Sequence, residues 1–234
     1  LDAPVDFVAE VAGALAEDGV WVCEQSYLPT MIEQNAYDTV CHEHLEYYAL
    51  RQVKWMTDRA GLKIVDFSLN AVNGGSFSFM AAKKSSPYPE CTKALEAAQR
   101  AEAAYSTLAP YAAFRENTQR HREALLSFFK TARFEGKTIL GYGASTKGNV
   151  ILQYCGLTEK DLPRIGEVNR DKFGAFTPGT HIPIVPEDAV RAERPDYLLV
   201  LPWHFKEFIM EKEAAYRQGG GKLFFPLPKP EICG

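Results

Sequence analysis

Apolar positions recur at helical spacing from the start of the chain, at Phe7, Val8, Val11 and Leu15, and Pro4 suits a first helical turn. Asp18-Gly19 closes that stretch, and residues 20–24 read as a strand. After a loop at Pro29, residues 31–60 carry a helical pattern that Gly61 stops. Residues 62–69 and 77–82 read as two strands, and the Asn73-Gly74-Gly75-Ser76 link predicts an antiparallel pair. Ser85-Ser86-Pro87-Tyr88-Pro89 breaks the pattern and marks a boundary. Two helices are expected over 85–135, the second after Pro110. Its stripe of Phe114, Thr118, His121, Leu125 and Phe128 suits a helical linker packed on a neighbouring domain, with His121 a packing residue rather than a ligand. From Gly136 on, short apolar runs at 138–142, 165–168, 182–185, 197–201 and 223–225 alternate with helical segments, the pattern of a doubly wound parallel sheet. Pro226-Leu227-Pro228 ends the last run. Because Leu1 lies almost inside this helix–strand alternation, the chain is expected to be a fragment, a processed chain or one part of a split protein.

Composition narrows the class. At 234 residues, 46% hydrophobic and 24% charged, the chain has the make-up of a globular protein long enough for one large or two modest cores. The net charge is −4 and the two signs are mixed along the chain, which argues against a nucleic-acid partner. No apolar run approaches the roughly 20 residues of a membrane helix. Cys23, Cys41, Cys91, Cys155 and Cys233 are scattered and odd in number, so reduced thiols in a cytoplasmic protein are expected rather than a disulfide framework or zinc knuckle.

Two constellations carry candidate chemistry. Cys41-His42-Glu43-His44-Leu45-Glu46-Tyr47-Tyr48 packs two imidazoles, two carboxylates and two phenols into eight residues. Three readings are open: a metal site, a general base, or a solvated polar helix face. On a helix, however, His42 and His44 would diverge, and the spacing is not H-E-x-x-H. A histidine can take a proton at pH 7, which favours the general base over the metal. Gly141-Tyr142-Gly143-Ala144-Ser145-Thr146-Lys147-Gly148-Asn149 lies between a strand and a helix. Glycines, a helix start, two hydroxyls and a lysine suit a phosphate cradle. Its spacing matches neither the dinucleotide fingerprint nor the P-loop, so a tight turn needing small residues is the competing reading. Trp203 and His204 follow the 197–201 run, at the strand end where open α/β sheets bind ligands.

In combination these segments resemble the SAM-dependent nucleotide-sugar C-methyltransferases, which methylate C-3 of dTDP-4-keto-deoxyhexoses. Residues 38–48 resemble that family's D-T-I-Y-H-E-H-L-x-Y-Y signature, Gly74-Gly75-Ser76 its G-G-S segment, and residues 141–149 its G-Y-G-A loop. Pro195-Asp196-Tyr197, Pro202-Trp203-His204-Phe205 and Gly220-Gly221-Lys222 follow in the same order and spacing, so the resemblance covers essentially the whole chain.

The resemblance implies an α/β chain in three parts: residues 1–84 as the C-terminal part of a class I methyltransferase sheet, 85–135 as a helical linker, and 136–234 as a Rossmann-like C-terminal domain. It implies that His44 is the base that removes the C-3 proton and that Glu43 acts near the keto group. His42, Ser76, Ser145, Thr146, Lys147, Trp203 and His204 would bind the nucleotide-sugar substrate. Cys41 stands where the family has Tyr, which removes one phenol donor. The implied cofactor is S-adenosylmethionine, whose glycine-rich loop and acidic residue this chain lacks; zinc would belong to an N-terminal module that this chain also lacks. The strand at 20–24 would normally pair with a strand preceding Leu1 and alone presents an unpaired apolar edge, so it is expected to be covered by another chain, or the first region to be distorted; the missing N-terminal half is the expected partner. Two alternatives remain: an NAD-dependent sugar-nucleotide dehydrogenase or epimerase, with Glu167 or Asp171 near a ribose, and a non-catalytic nucleotide-sugar-binding module.

Overall fold

The computed structural model describes all 234 residues apart from the side chain of Asn73. The chain divides into two compact units, one of Leu1–Glu33 and Glu43–Ala113, the other of Gln34–His42 and Phe114–Gly234.

In the first unit, α1 (Pro4–Ala14), β1 (Val20–Ser26) and α2 (Leu28–Glu33) are followed by α3 (Leu50–Arg59), β2 (Leu62–Asn70), β3 (Ser76–Lys83) and α4 (Thr92–Glu102). The sheet order is β1-β3-β2, with β3 antiparallel to both neighbours. Period-two alternation sends Phe77, Phe79 and Ala81 to one face, where Val8 of α1, Leu50, Val53 and Met56 of α3 and Leu95 of α4 complete the core. On the opposite face Val22 and its partner Met80 stay 61% and 39% exposed. Gly75, at φ +121°, could carry no side chain: a Cβ would lie 2.2 Å from Thr30 Cγ2. Glu102 is buried, and its carboxylate accepts hydrogen bonds from the Leu50 and Arg51 amides at 2.7 and 3.2 Å and from the Tyr27 hydroxyl at 2.7 Å. It therefore caps the amino end of α3, where the helix dipole favours an anion.

The expected long helix over 31–60 is corrected by the structure. Only Leu28–Glu33 and Leu50–Arg59 are α-helical, with a 3-10 turn at Tyr37–Thr39 and irregular chain through the signature. Asn35 takes a left-handed φ of 52°, which ends any helix there, and Tyr48 forms a bridge with Tyr27 while its carbonyl accepts the Leu28 amide at 2.9 Å. His42 and His44 therefore do not lie on a helix, and they fall in different units.

The second unit receives most of α5 (Ala109–Phe134) and continues through β4 (Ile139–Tyr142), α6 (Thr146–Cys155), β5 (Ile165–Glu167), β6 (Ile184–Pro186), α7 (Glu187–Ala192), β7 (Tyr197–Val200), α8 (Lys206–Lys212), α9 (Ala214–Gln218), β8 (Lys222–Phe225) and β9 (Glu231–Cys233). The sheet order is β6-β5-β4-β7-β8-β9; all pairs are parallel except the last. The chain moves outward from β4 to β6 and then returns to β7 on the other side of β4, so the order reverses between β4 and β7. β9 has no sequence signal, since Glu231-Ile232-Cys233 carries one strongly apolar residue and no periodicity; Arg217, donating to the Gly234 carbonyl at 2.6 Å, holds the chain end beside it. His121 on α5 is buried, as the stripe implied. Its Nε2–H donates to the Pro226 carbonyl at 2.5 Å, so Nδ1 accepts from the Tyr37 hydroxyl at 3.1 Å, and burial lowers its pKa.

Candidate functional site

The signature changes unit along its length: Cys41 and His42 belong to the second unit, Glu43 onward to the first. In the first unit, Gln25, Glu43, His44, Glu46 and Tyr48, with Leu1 and Leu45, line a cleft of about 190 Å³. His44 is half-buried, with its ring 6.4 Å from that of Tyr47. The Tyr48 hydroxyl donates to Glu46, and burial together with that carboxylate pushes the Tyr48 phenol above its ordinary range. Ser76, expected at the substrate, is buried and donates its hydroxyl to the Val72 carbonyl at 3.0 Å, where it braces the glycine turn before β3.

In the second unit, Cys41 and His42 face Thr146, Asn149, Gln153 and Tyr154 across a cleft of about 380 Å³. The 3-10 turn Tyr37–Thr39 packs on α6 and so carries the signature to this place. The glycine loop serves a second cavity, of about 490 Å³, lined by Gly143, Ser145, Glu167, Lys172, Pro202 and Phe205 among others. This cavity lies outside the carboxyl ends of β4 and β7, at the reversal of strand order where open α/β sheets bind ligands. Gly143, at φ +79°, lets the loop approach Pro202: a Cβ would lie 2.6 Å from Pro202 Cδ. Ser145 caps α6, its Oγ accepting the Gly148 amide at 3.0 Å.

The amide that a pyrophosphate would approach is already engaged. Ala144 N–H donates to Glu167 Oε2 at 2.9 Å, and Glu167 Oε1 accepts the amides of Val168 and Asn169 at 2.7 and 3.0 Å. A dinucleotide phosphate here would meet a buried carboxylate, so the loop does not fit the NAD reading. Asp171 lies in an exposed turn at Arg170–Lys172.

Lys147, Trp203 and His204 form a third group. The Trp203 indole N–H donates to Asp38 Oδ2 at 2.7 Å, and Asp38 is fully buried. Burial raises the Asp38 pKa, while the Trp203 N–H and the Lys147 ammonium oppose that rise. Burial first, and Lys147 second, lower the His204 pKa to about 4, so its ring is neutral at pH 7. The glycine loop thus sends its residues to different places: Ser145 to the switch-point cavity, Thr146 to the signature cleft, Lys147 to the charge field around Asp38. Nothing in the sequence pattern marks Asp38 apart from its place in the signature; its distant partner Trp203 reveals it.

The His204 shift has a measurable consequence. An unfolded chain takes this proton near 6.5, the folded chain near 4, so its contribution to stability is complete above pH 6.5 and is lost as pH falls from there toward 4. The slope is at most about 1.4 kcal/mol per pH unit. We expect Tm to fall between pH 7 and 4.5, and His204→Gln to flatten that dependence relative to wild type; parallel melting curves for the two proteins would contradict it.

Among the described residues no helix is long and apolar enough to cross a membrane, and no group of three or more His, Cys, Asp or Glu side chains is disposed to hold a metal ion. Residues 71–228 match a family described as the C-methyltransferase C-terminal domain. The C-methyltransferase NovU of Streptomyces niveus is 30% identical over 225 residues, which are 95% of this chain and 53% of NovU. The chain spans about half the length of the curated relative it matches.

Proposed function

From the premise that this chain belongs to the C-methyltransferase family, we propose that it forms part of an enzyme that methylates C-3 of a dTDP-4-keto-deoxysugar, with His44 as the base. The observation that carries this reading is the half-buried His44 in a cleft beside Glu43. A C-4 ketone acidifies the neighbouring C-3 hydrogen, because the charge left on carbon spreads to oxygen as an enolate. His44 takes that proton, and Glu43 orients the sugar near its keto group. His42 and Thr146 line a separate cleft whose lining is suited to hydroxyl and phosphate groups, and Lys147 supplies positive charge near its α6 wall.

S-adenosylmethionine supplies the methyl group in this family's chemistry. The residues of this chain do not fit as its cradle. The three-stranded sheet of the first unit has no glycine-rich turn after a parallel strand, and the glycine loop of the second unit is occupied by Glu167. We therefore assign the methyl-donor site to the part of the family protein that this chain does not span. The outer edge of β1, unpaired among the described residues, is where that part would continue the sheet, and the exposed Val22–Met80 face is where it would pack.

The test is direct. An enzyme containing this chain, given S-adenosylmethionine and a dTDP-4-keto-deoxyhexose, should yield a sugar nucleotide heavier by one methylene, with the new methyl on C-3 by NMR. Methylation on oxygen, or none, would remove the proposal. This chain alone should show no heat of binding with S-adenosylmethionine.

A further inference from the structure

Three segments far apart in sequence meet at one buried carboxylate in the second unit. Asp38 is 0% exposed, and its Oδ2 accepts the Trp203 indole N–H at 2.7 Å. Among the described residues its Oδ1 has no hydrogen-bond partner, and the same is true of two other buried atoms, Asn149 Oδ1, two residues after Lys147 on α6, and His204 Nδ1, next to Trp203. The Lys147 ammonium, on the first turn of α6, is close enough to bias the charge states of both Asp38 and His204. Backbone hydrogen bonds at Asp38 and Thr39 help hold this carboxylate, yet burying it is still costly, and an asparagine could accept the same indole hydrogen at lower cost. What asparagine lacks is an ionisable carboxyl, whose charged form burial disfavours and Lys147 favours.

The placement of this carboxylate bears on the signature cleft. Asp38 sits on the 3-10 turn that leads into Val40, Cys41 and His42, one wall of that cleft; Lys147 lies between Thr146 and Asn149, which belong to the other wall. We infer that Asp38 is a positioning residue of this cleft: by accepting the Trp203 indole hydrogen and presenting an ionisable carboxyl to Lys147, it locks the turn carrying Cys41 and His42 against the first turn of α6 and sets the spacing of the two walls. The inference rests on the proposed reading that the cleft receives part of the nucleotide sugar. Asp38 itself touches no substrate.

The experiment measures KM, kcat and Tm for Asp38→Asn and Trp203→Phe in the complete enzyme, with the dTDP-4-keto-deoxyhexose as substrate. Asp38→Asn keeps shape and removes the ionisable carboxyl, and KM should rise about tenfold while kcat per folded molecule changes little. Trp203→Phe removes the donor and should raise KM in the same direction, and the double variant should be worse than Asp38→Asn, because asparagine still accepts the indole hydrogen that phenylalanine lacks. In this chain alone, the Trp203 indole N–H resonance should move in Asp38→Asn. A merely structural Asp38 would lower Tm and the folded fraction with KM unchanged. KM within twofold of wild type in both folded variants overturns the inference, and if Asp38→Asn does not fold, Trp203→Phe decides alone. Methyl transfer that survives His44→Asn would sink the proposed base while leaving the KM test intact; a wild-type enzyme that binds no nucleotide sugar overturns both.

Discussion

Replacing His44 with Asn is expected to lower kcat by about 10²–10⁴-fold, the usual contribution of a positioned general base. Asparagine retains a polar group of similar reach but cannot accept a proton, so the substitution removes the chemistry with little change to the cleft. KM for the nucleotide sugar should stay near its wild-type value, because the loss falls on the transition state. A second readout isolates the step: in deuterated water the wild-type enzyme should exchange the C-3 hydrogen of the sugar, and His44→Asn should not. Glu43→Gln should be milder, since its carboxylate orients rather than abstracts. Near-wild-type turnover with normal exchange in His44→Asn would take the base role from this residue.

Replacing Arg191 with Met should cost the second unit about 3 kcal/mol, because this half-buried guanidinium is the charged partner of a fully buried carboxylate, Glu213. Arg191 on α7 donates through Nη2 and Nε to Glu213 at 2.6 and 3.0 Å, and also to Glu187 and to Asp188. Glu213 is 2% exposed and also accepts the Tyr142 hydroxyl at 2.8 Å. Burial alone would raise the Glu213 pKa, but the hydrogen bonds from Arg191 and Tyr142 outweigh it and hold the carboxyl below its ordinary value. Without the guanidinium, Glu213 is left charged and buried with one neutral donor, while Glu187 keeps its bond from Lys212 at 2.7 Å. Tm should fall by roughly 2–4 °C per kcal/mol for a chain of this size. Adding Glu213→Gln should recover part of the loss; two effects that simply add would show that the pair is not coupled.

The alternation of apolar runs and turn residues was enough to place most of the elements. Period two in 62–69 and 77–82 with a glycine link specified the antiparallel β2–β3 pair, and short apolar runs separated by helices specified the parallel sheet. These features are local, so the chain itself encodes them. The signature segment defeated the same reasoning. Its polar density reads as helix or site equally well, and the left-handed Asn35 and the Tyr27–Tyr48 bridge that keep it irregular depend on contacts distant in sequence.

By itself the sequence determined the α/β class, the helix and strand periods, the chemical content of the signature and the family it belongs to, because these depend on residue type and spacing. Only the tertiary structure decided which hydroxyls, amides and charges are already committed. It gave Ser76 to the Val72 carbonyl, the Ala144 amide to Glu167, and the Trp203 indole to Asp38. A side chain's availability for chemistry depends on which partners the fold brings within hydrogen-bond distance, and for Asp38 and Trp203 those partners stand 165 residues apart in the chain.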